Sequence, residues 1–540
     1  MKKLKNLQRQ YGSDYTLRET IKMINWAEEL KKESFPNNPQ ELKILQTHIS
    51  YVFIADHVVY KIKKSVNFGF LDFTTVELRK LYSEKEVELN RRLCPEIYLG
   101  VVPISLTEHG YKIEDNSNVV EYAVKMKRLP EDGMMQKILK DRVLTEKHID
   151  LIVDLLVPFY KSARTGKGVN EYGCIDTVSF NTEENFNQTE SFVGIALNKW
   201  RYNEIVSWTR NFIKENKALF ETRIKEEFIR EGHGDLYSAN ICFDNLKKVY
   251  IFDCIEFNER FRCGDVASDI AFLSMDLDFH SYKELSEYFV RTYVEKSNDR
   301  DLLKLLNFYK CYRAYVRGKI GCFTSEDTAL SEERKKDALQ EAQKYFDLAY
   351  LYAEGKPKVF VVFGLSGTGK STLARALAKK TLAKWIPSDI VRKSLVGIAP
   401  TEHHYEPFEK GIYSKEFTEK TYMKMIEIAR ENLLLGRDVI LDATFRERVL
   451  RQALMRQLNF AEIYFIWCTA EDSVVKERFM KRKEAEDISD ARWEIYLAQK
   501  EKFEPPDEIQ EGRLIKVDTS EFKDLTEVVI KKIYSDFLLQ

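Results

Sequence analysis

Cysteine builds no framework in this chain. Its eight cysteines are scattered over 540 residues, and no Cys-x-x-Cys or Cys/His cluster has the spacing of a zinc site. Cys242, Cys254, Cys263 and Cys468 fall in or beside apolar segments, where reduced thiols pack as core side chains. Long hydrophobic runs are missing too. No apolar stretch approaches the ~20 residues of a membrane span. The opening Met1-Lys2-Lys3-Leu4-Lys5 carries positive charge but no apolar run of the kind a secretion signal needs. A reduced, cytoplasmic protein without a membrane partner is the expectation. Neither charge is in excess, since 85 basic and 86 acidic residues leave a formal net charge of -1. That balance argues against a globally basic nucleic-acid binder, though a local basic cleft stays open. A composition 44% hydrophobic and 32% charged argues against wholesale disorder. A chain of this length is expected to hold roughly two to four domains.

The most specific pattern in the front half is His233-Gly234-Asp235-Leu236-Tyr237-Ser238-Ala239-Asn240, followed by a strand ending in Ile251-Phe252-Asp253. Phosphoryl transfer from ATP and Mg²⁺ needs such a set: one carboxylate orients an acceptor hydroxyl, while an amide and a second carboxylate hold the metal. Asp235 is therefore the candidate base, and Asn240 and Asp253 are the candidate metal ligands. The protein-kinase catalytic loop has this pattern, with Gly234 here in place of its arginine. His233 is expected to brace the loop by hydrogen bonds, not to titrate.

Upstream, a helix is expected over Tyr15–Lys32, and Thr47–Ile54 and Val58–Lys63 read as a hairpin around Ala55-Asp56-His57. A charged helix over Glu77–Leu93 follows, then strands at Val101–Ile104, Tyr111–Ile113 and Val119–Met126. That is the order of a kinase small lobe. Lys61 is the candidate ATP-binding lysine, but Lys63 shares its face by strand alternation and remains an alternative. Glu86 is the candidate partner, with Glu84 and Glu88 as rivals. Val124–Leu129 is a candidate hinge for adenine. From Met134 to about Tyr350 the pattern is mostly helical, with Arg313 and Arg317 sharing one helix face. They could bind an anionic acceptor, but the favoured expectation is that they pair with Asp265 and Asp269, carboxylates given a scaffold role.

The back half opens after Gly355-Lys356-Pro357, a domain boundary by composition. Val359–Phe363 is a short apolar strand suited to a buried parallel sheet. It leads into Gly364-Leu365-Ser366-Gly367-Thr368-Gly369-Lys370-Ser371, a complete Walker A sequence, with a helix from Thr372 onward. Gly364, Ser366, Gly367, Thr368, Gly369, Lys370, Ser371 and Thr372 are the candidate ATP-binding residues. Loop amides and the helix N-terminus would cradle phosphate, with Lys370 at the β/γ-phosphates and Ser371 on Mg²⁺. Trp385–Arg392 ends a second strand, and strands at Val439–Thr444, Glu462–Cys468 and Leu514–Val517 alternate with helices, giving a doubly wound parallel sheet. Its ligand crevice should gather Lys370, Asp389 and Asp442 at the strands' C-terminal ends. Asp442 is a further metal-ligand candidate in a Walker-B-like position, or alternatively an acceptor-binding residue. The basic stretch Lys476–Arg492 reads as a lid that brings Arg478 or Arg482 onto the transferring phosphate.

Taken together, Thr47-His48-Ile49-Ser50, Val59-Tyr60-Lys61, Phe68-Gly69-Phe70-Leu71-Asp72-Phe73, Glu86–Arg92, His233–Asn240 and Phe252–Phe257 resemble the aminoglycoside-phosphotransferase-like kinase family. More narrowly, the chain resembles bacterial proteins that fuse such a domain to a C-terminal P-loop kinase of AAA type, and the resemblance covers nearly the whole chain. It implies an α+β two-lobed kinase-like domain, then an α/β P-loop domain with a doubly wound parallel sheet. Residues 1–133 would form the small lobe, 134–350 the helical large lobe, and 356–540 the P-loop domain. The chain departs from protein kinases in lacking a glycine-rich phosphate loop, with Thr47–Tyr51 in its place, and in having Asp253-Cys254 for Asp-Phe-Gly. Ser50 or backbone amides would then grip phosphate. Asp389 and Arg392 resemble the acceptor-side pair of the polynucleotide-kinase and zeta-toxin branch, which implies a base and a clamp on an acceptor anion. The implied activity is bifunctional, using ATP and Mg²⁺ to phosphorylate a hydroxyl of a small molecule such as a sugar or nucleoside. Two alternatives stand: a nucleotide or nucleic-acid 5′-hydroxyl as acceptor of the back half, or an ATP-binding regulator with one inactive site.

Overall fold

The computed structural model describes residues 24–328, 330–399, 411–434, 436–482, 493–521 and 525–533. The fold class is the expected one, an α+β kinase-like domain followed by an α/β P-loop domain. Packing divides the chain into two compact units, Met1–Cys174 with Leu219–Leu302, and Ile175–Ala218 with Leu303–Gln540. Among the described residues no helix is long and apolar enough to cross a membrane. All eight cysteines are free, and burial pushes the thiols of Cys242, Cys254 and Cys468 up to about 12.

The first unit is built on a six-stranded sheet. Its strands are β1 (Leu42–Gln46), β2 (Ser50–Ala55), β3 (Val58–Lys63), β4 (Tyr98–Thr107), β5 (Gly110–Ile113) and β6 (Val119–Lys127), in the order β1-β2-β3-β6-β4-β5. Every neighbouring pair is antiparallel. The strand expected to run unbroken from Thr47 starts instead at Ser50. Thr47 Oγ1 accepts the amides of Ile49 and Ser50 at 3.3 and 3.0 Å, which turns the chain between β1 and β2. Alternation then puts Phe53, Tyr60 and Ile62 into a core with Trp26 and Phe35. Of the helix expected over Tyr15–Lys32, residues up to 23 lie outside those described, and Trp26–Glu29 is helical. The helix Val76–Asn90 is capped by Thr75, whose hydroxyl accepts the Leu78 amide at 3.2 Å.

The rest of this unit is mostly helical, with two short antiparallel pairs. β7 (Ile229–Glu231) pairs with β10 (Cys263–Asp265), and β8 (Ile241–Asp244) pairs with β9 (Lys248–Ile251). Asp265 caps the buried helix Val266–Phe279 through the Ala267 amide at 2.8 Å. Its partner is Arg223, at 2.8 and 2.6 Å. Arg317 lies 3.7 Å from Glu341.

The second unit holds a five-stranded parallel sheet of β11 (Lys358–Phe363), β12 (Lys384–Pro387), β13 (Val439–Asp442), β14 (Glu462–Thr469) and β15 (Leu514–Asp518). The order is β12-β13-β11-β14-β15. Val362, Asp442 and Pro387 stand in register, so β11, β12 and β13 end level. Both faces are covered: apolar side chains alternate into two core clusters, one on each side of β11.

Helices Ile175–Thr189, Lys199–Glu215 and Glu332–Tyr352 belong to this unit, and one of them holds the opposite edge of the sheet. Arg201 donates Nη2 to Asp438 Oδ1 at 2.7 Å and to the Gly436 carbonyl at 2.6 Å, and Nη1 to Asp347. Asp438 in turn accepts the Lys358 amide at 2.6 Å through its side chain and the Lys384 amide at 2.8 Å through its carbonyl. Three strand starts are thereby joined. Arg201→Ala is expected to destabilise this unit by about 3–5 kcal/mol, because it leaves buried Asp438 without its cation. Thermal or denaturant unfolding of the full chain would show the corresponding transition move.

Candidate phosphoryl-transfer sites

The first site is assembled around a loop that tolerates no side chain at Gly234. Its φ is +83°, and a Cβ there would lie 2.6 Å from the Phe261 carbonyl oxygen. The arginine of the protein-kinase pattern therefore has no room. Asp269 fastens the loop by accepting the amides of His233 at 2.8 Å and Gly234 at 3.1 Å, and the Tyr160 hydroxyl at 3.0 Å. His233 is wholly buried. Its Nδ1 accepts the Asp235 amide at 3.2 Å, which assigns the ring proton to Nε2, bonded to the Phe252 carbonyl at 3.0 Å. Burial pushes its pKa down, so the ring is a neutral brace between the loop and the strand end that carries Asp253. Asn240 Nδ2 donates to both the side chain and the carbonyl of Asp235, each at 3.0 Å.

Asp253 adopts a left-handed φ of +62°, and its neighbours hold it there. The Tyr98 hydroxyl accepts the Asp253 amide at 3.2 Å, and Asn90 Oδ1 accepts the Cys254 amide at 2.9 Å. Lys61 Nζ lies 2.6 Å from Asp253 Oδ1 and 2.9 Å from Glu86 Oε1. Lys63 Nζ lies 2.6 Å from Glu86 Oε2 and also bonds Glu256. Both lysines of the shared strand face are therefore engaged, with the fully buried Glu86 between them. Glu84 is exposed, 3.8 Å from Lys80, and Glu88 is exposed as well. Lys61 is the lysine that meets Asp253.

Electrostatics favour the charged forms of Lys61, Glu86 and Asp253, whereas burial raises the Glu256 carboxyl. Burial would lower the Lys61 ammonium, yet Asp253 and Glu86 hold it well above its usual value. Burial would raise Glu86, and the two ammonium groups bring it below the carboxylate range. Partial burial acts on Asp253 in the same way, and Lys61 outweighs it. Among the described residues no group of three or more His, Cys, Asp or Glu side chains could hold a metal ion. Asn240 and Asp253 supply two oxygen donors, which suits Mg²⁺, an ion that keeps waters and substrate phosphates as its other ligands. Lys63→Met should destabilise this unit by about 3–5 kcal/mol, since buried Glu86 and Glu256 lose their shared cation. A denaturant titration of the full chain measures it.

Elsewhere in this unit the outcome is mixed. Ser50, a candidate phosphate grip, is wholly buried with its amide bonded to Thr47. In the candidate hinge, the amides of Lys127 and Arg128 are already bonded to the carbonyls of Ile97 and His57, both at 2.9 Å.

The second site is the loop between β11 and the helix Lys370–Thr381. Gly364 has φ +136°, and a Cβ there would lie 2.3 Å from the Cys468 carbonyl, so the loop leaves the strand in a way only glycine allows. Ser366, Thr368 and Lys370 are buried, Ser371 is half-buried, and Thr372 is exposed. Gly367 and Gly369 turn the loop with φ of +81° and +79°. Lys370 Nζ donates to the Leu365 carbonyl at 2.8 Å, folded across the loop's own backbone. Asp442, in register with the end of β11, accepts Trp385 Nε1 at 3.3 Å. Burial pushes the Asp442 carboxyl above the usual range, against the Lys370 ammonium and hydrogen bonds from Ser371 and Trp385. Lys370, Ser371 and Asp442 thus converge, as a phosphate-bound Mg²⁺ requires.

Arg478, of the two lid candidates, reaches this loop. It donates Nη1 to the Gly367 carbonyl at 3.3 Å and to Thr519 Oγ1 at 3.1 Å. The Arg482 side chain and residues 483–492 of the expected lid lie outside those described. Asp389 sits in the first turn of the helix Ser388–Ser394, half-buried, and is not its N-cap, which is Pro387. Arg392 is buried and donates Nη1 to the Ile412 carbonyl at 2.6 Å.

Sequence reasoning missed five residues that hold these sites. Asn90 lies four residues after Glu86, so helical spacing could have found it. Thr519 follows the end of β15, at the crevice edge of the sheet, and donates its hydroxyl to the Thr368 carbonyl at 2.7 Å. Gln499, which accepts the Ser366 amide at 2.9 Å, and Tyr98 left no local signal, and Glu256 lies in the Phe252–Phe257 motif without a role having been read for it.

The two folds define the class, a kinase-like α+β domain and a P-loop domain in one chain. Residues 359–506 match the family model for AAA domains. Over 460 residues the chain is 29% identical to an uncharacterised protein of Mycobacterium tuberculosis, covering 85% of this chain and 89% of that one. The structure is similar over 33% of its length to a gluconokinase from Sinorhizobium meliloti 1021, covering 90% of that chain, with 19% identity and a TM-score of 0.24. It is similar over 59% of its length to a choline/ethanolamine kinase family protein from Mesorhizobium loti, covering 95% of that chain, with 11% identity and a TM-score of 0.34.

Proposed function

We propose that this chain is a bifunctional ATP-dependent kinase that phosphorylates hydroxyl groups of small molecules at two separate sites. The observation that carries this reading is the meeting of Lys61, Glu86 and Asp253 within 2.6–2.9 Å, beside a loop that sets Asn240 against Asp235 at 3.0 Å. In the first site the acceptor oxygen attacks the terminal phosphorus, ADP departs, and Asp235 takes the hydroxyl proton. Lys61, aligned by Glu86, holds phosphate oxygens, while Asn240 and Asp253 would hold Mg²⁺. In the second site Asp389 takes the acceptor proton, Lys370 and the loop amides hold the transferring phosphate, Ser371 and Asp442 would hold Mg²⁺, Arg478 meets the phosphate from the lid, and Arg392 faces the acceptor. Bound Mg²⁺ would neutralise charge developing on the phosphate oxygens.

The test is acceptor-dependent ADP release by the full chain across sugars, nucleosides and a short oligonucleotide with a 5′-hydroxyl, repeated with Asp235→Ala and with Lys370→Ala. Each substitution should remove one set of acceptors. Release that depends on neither residue would refute the reading.

A further inference from the structure

The peptide group between Leu365 and Ser366, inside the phosphate loop, is gripped at both ends. Its carbonyl accepts Lys370 Nζ at 2.8 Å and the Thr368 hydroxyl at 2.7 Å. Its amide donates to Gln499 Oε1 at 2.9 Å. One planar group therefore separates Gln499 from the lysine that, in this loop pattern, reaches the β- and γ-phosphates. Arg478 and Thr519 act on loop carbonyls, donating to Gly367 at 3.3 Å and to Thr368 at 2.7 Å. Gln499 differs from them in taking up an amide, and it can do so because a carboxamide carries an acceptor and a donor on one end. The acceptor is spent on Ser366. The donor, Nε2, has no hydrogen-bond partner among the described residues, although the side chain is nine-tenths buried, with 9% of the residue exposed.

The helix that carries Gln499, Trp493–Glu501, is held in place from outside the loop. Tyr496 and Lys500 share one helix face and meet Asp472. The Tyr496 hydroxyl donates to Asp472 Oδ1 at 2.6 Å, and Lys500 Nζ donates to both carboxylate oxygens at 2.8 and 2.6 Å. Asp472 opens the helix Asp472–Arg482, which lies directly on the loop. A Cβ at Gly367 would stand 2.8 Å from both Val475 and Phe479. Val475, Phe479 and Tyr496 form one apolar cluster, with Leu365 and Trp493 packed against it. Gln499 is thus delivered to the loop by packing and ion pairing that do not depend on its own hydrogen bond. A donor held in this way needs no rearrangement when negative charge arrives.

We propose that Gln499 is a ligand of the terminal phosphate in the second site. Oε1 keeps the Ser366 amide and so fixes the carboxamide, and Nε2 donates to a γ-phosphate oxygen beside Lys370. The site thereby tells ATP from ADP. This inference rests on the kinase reading of the second site and adds the residue by which that site recognises the phosphate to be transferred.

The experiment uses the full chain carrying Asp253→Ala, so that nucleotide binding reports the second site. It is titrated calorimetrically with ADP and with a non-hydrolysable ATP analogue, each with Mg²⁺, and the ratio of the two affinities is read. Gln499→Met, which keeps the length but has neither donor nor charge, should lower the preference for the triphosphate by about tenfold or more, the scale of one hydrogen bond to a charged group. Gln499→Glu keeps an acceptor for the Ser366 amide and loses the donor. It should lower the ratio as well, and it covers the case in which Gln499→Met fails to fold. An unchanged ratio in either folded variant overturns the inference, whether both affinities fall together, as for a brace of the loop, or neither does. If the Asp253→Ala chain binds neither nucleotide, or if binding persists after Lys370→Ala is added, the kinase reading of the second site fails and the inference falls with it.

Discussion

Asp235→Ala is expected to slow turnover by the first site about 10²–10⁴-fold, the usual contribution of a positioned general base. The carboxylate is half-buried and accepts Asn240 Nδ2 at 3.0 Å, so its direction is set before any acceptor arrives. Asp269 accepts the His233 amide and His233 Nδ1 accepts the Asp235 amide, backbone hydrogen bonds that the substitution leaves intact. The loss should therefore fall on kcat, with KM for ATP little changed. Asp235→Asn gives a sharper form of the test, because the amide keeps the shape and an acceptor oxygen for Asn240 but cannot take a proton. Acceptor-dependent ADP release, measured with Lys370→Ala in the background, isolates the effect. Turnover within tenfold of the parent would remove Asp235 from its role.

Lys370→Ala should lower turnover by the second site at least about 10²–10³-fold, the cost of losing one preorganised donor to a developing negative charge. Lys370 has a further effect through Asp442. Burial raises that carboxyl and the Lys370 ammonium pulls it down, so losing the lysine should leave Asp442 harder to ionise and a poorer metal ligand. The substitution should therefore also raise the Mg²⁺ concentration needed for half-maximal rate. A rate loss without a shift in Mg²⁺ dependence would separate Lys370 from Asp442.

How much of this was legible in the sequence differs from site to site. The phosphate loop could be read in full, because its chemistry lies in one short run of glycines whose positive φ values fix the shape. The pairing of Asn240 with Asp235 could be read because the short turn between them carries it. The choice between Lys61 and Lys63 could not, since strand alternation places both on one face and only long-range partners distinguish them: Asp253 for Lys61, Glu256 for Lys63. The break between β1 and β2 was hidden because Thr47 makes a turn without glycine or proline. Arg201 was invisible for a similar reason. Its partners Asp347 and Asp438 lie more than a hundred residues downstream, and no periodicity encodes such a contact.

The central claim is that one chain binds Mg²⁺-bound nucleotide twice. Calorimetric titration of the full chain with a non-hydrolysable ATP analogue and Mg²⁺ tests it most directly. The expected result is two nucleotides per chain, one after Asp253→Ala, one after Lys370→Ala and none after both. A single nucleotide on the parent chain, or a stoichiometry that neither substitution changes, would contradict it.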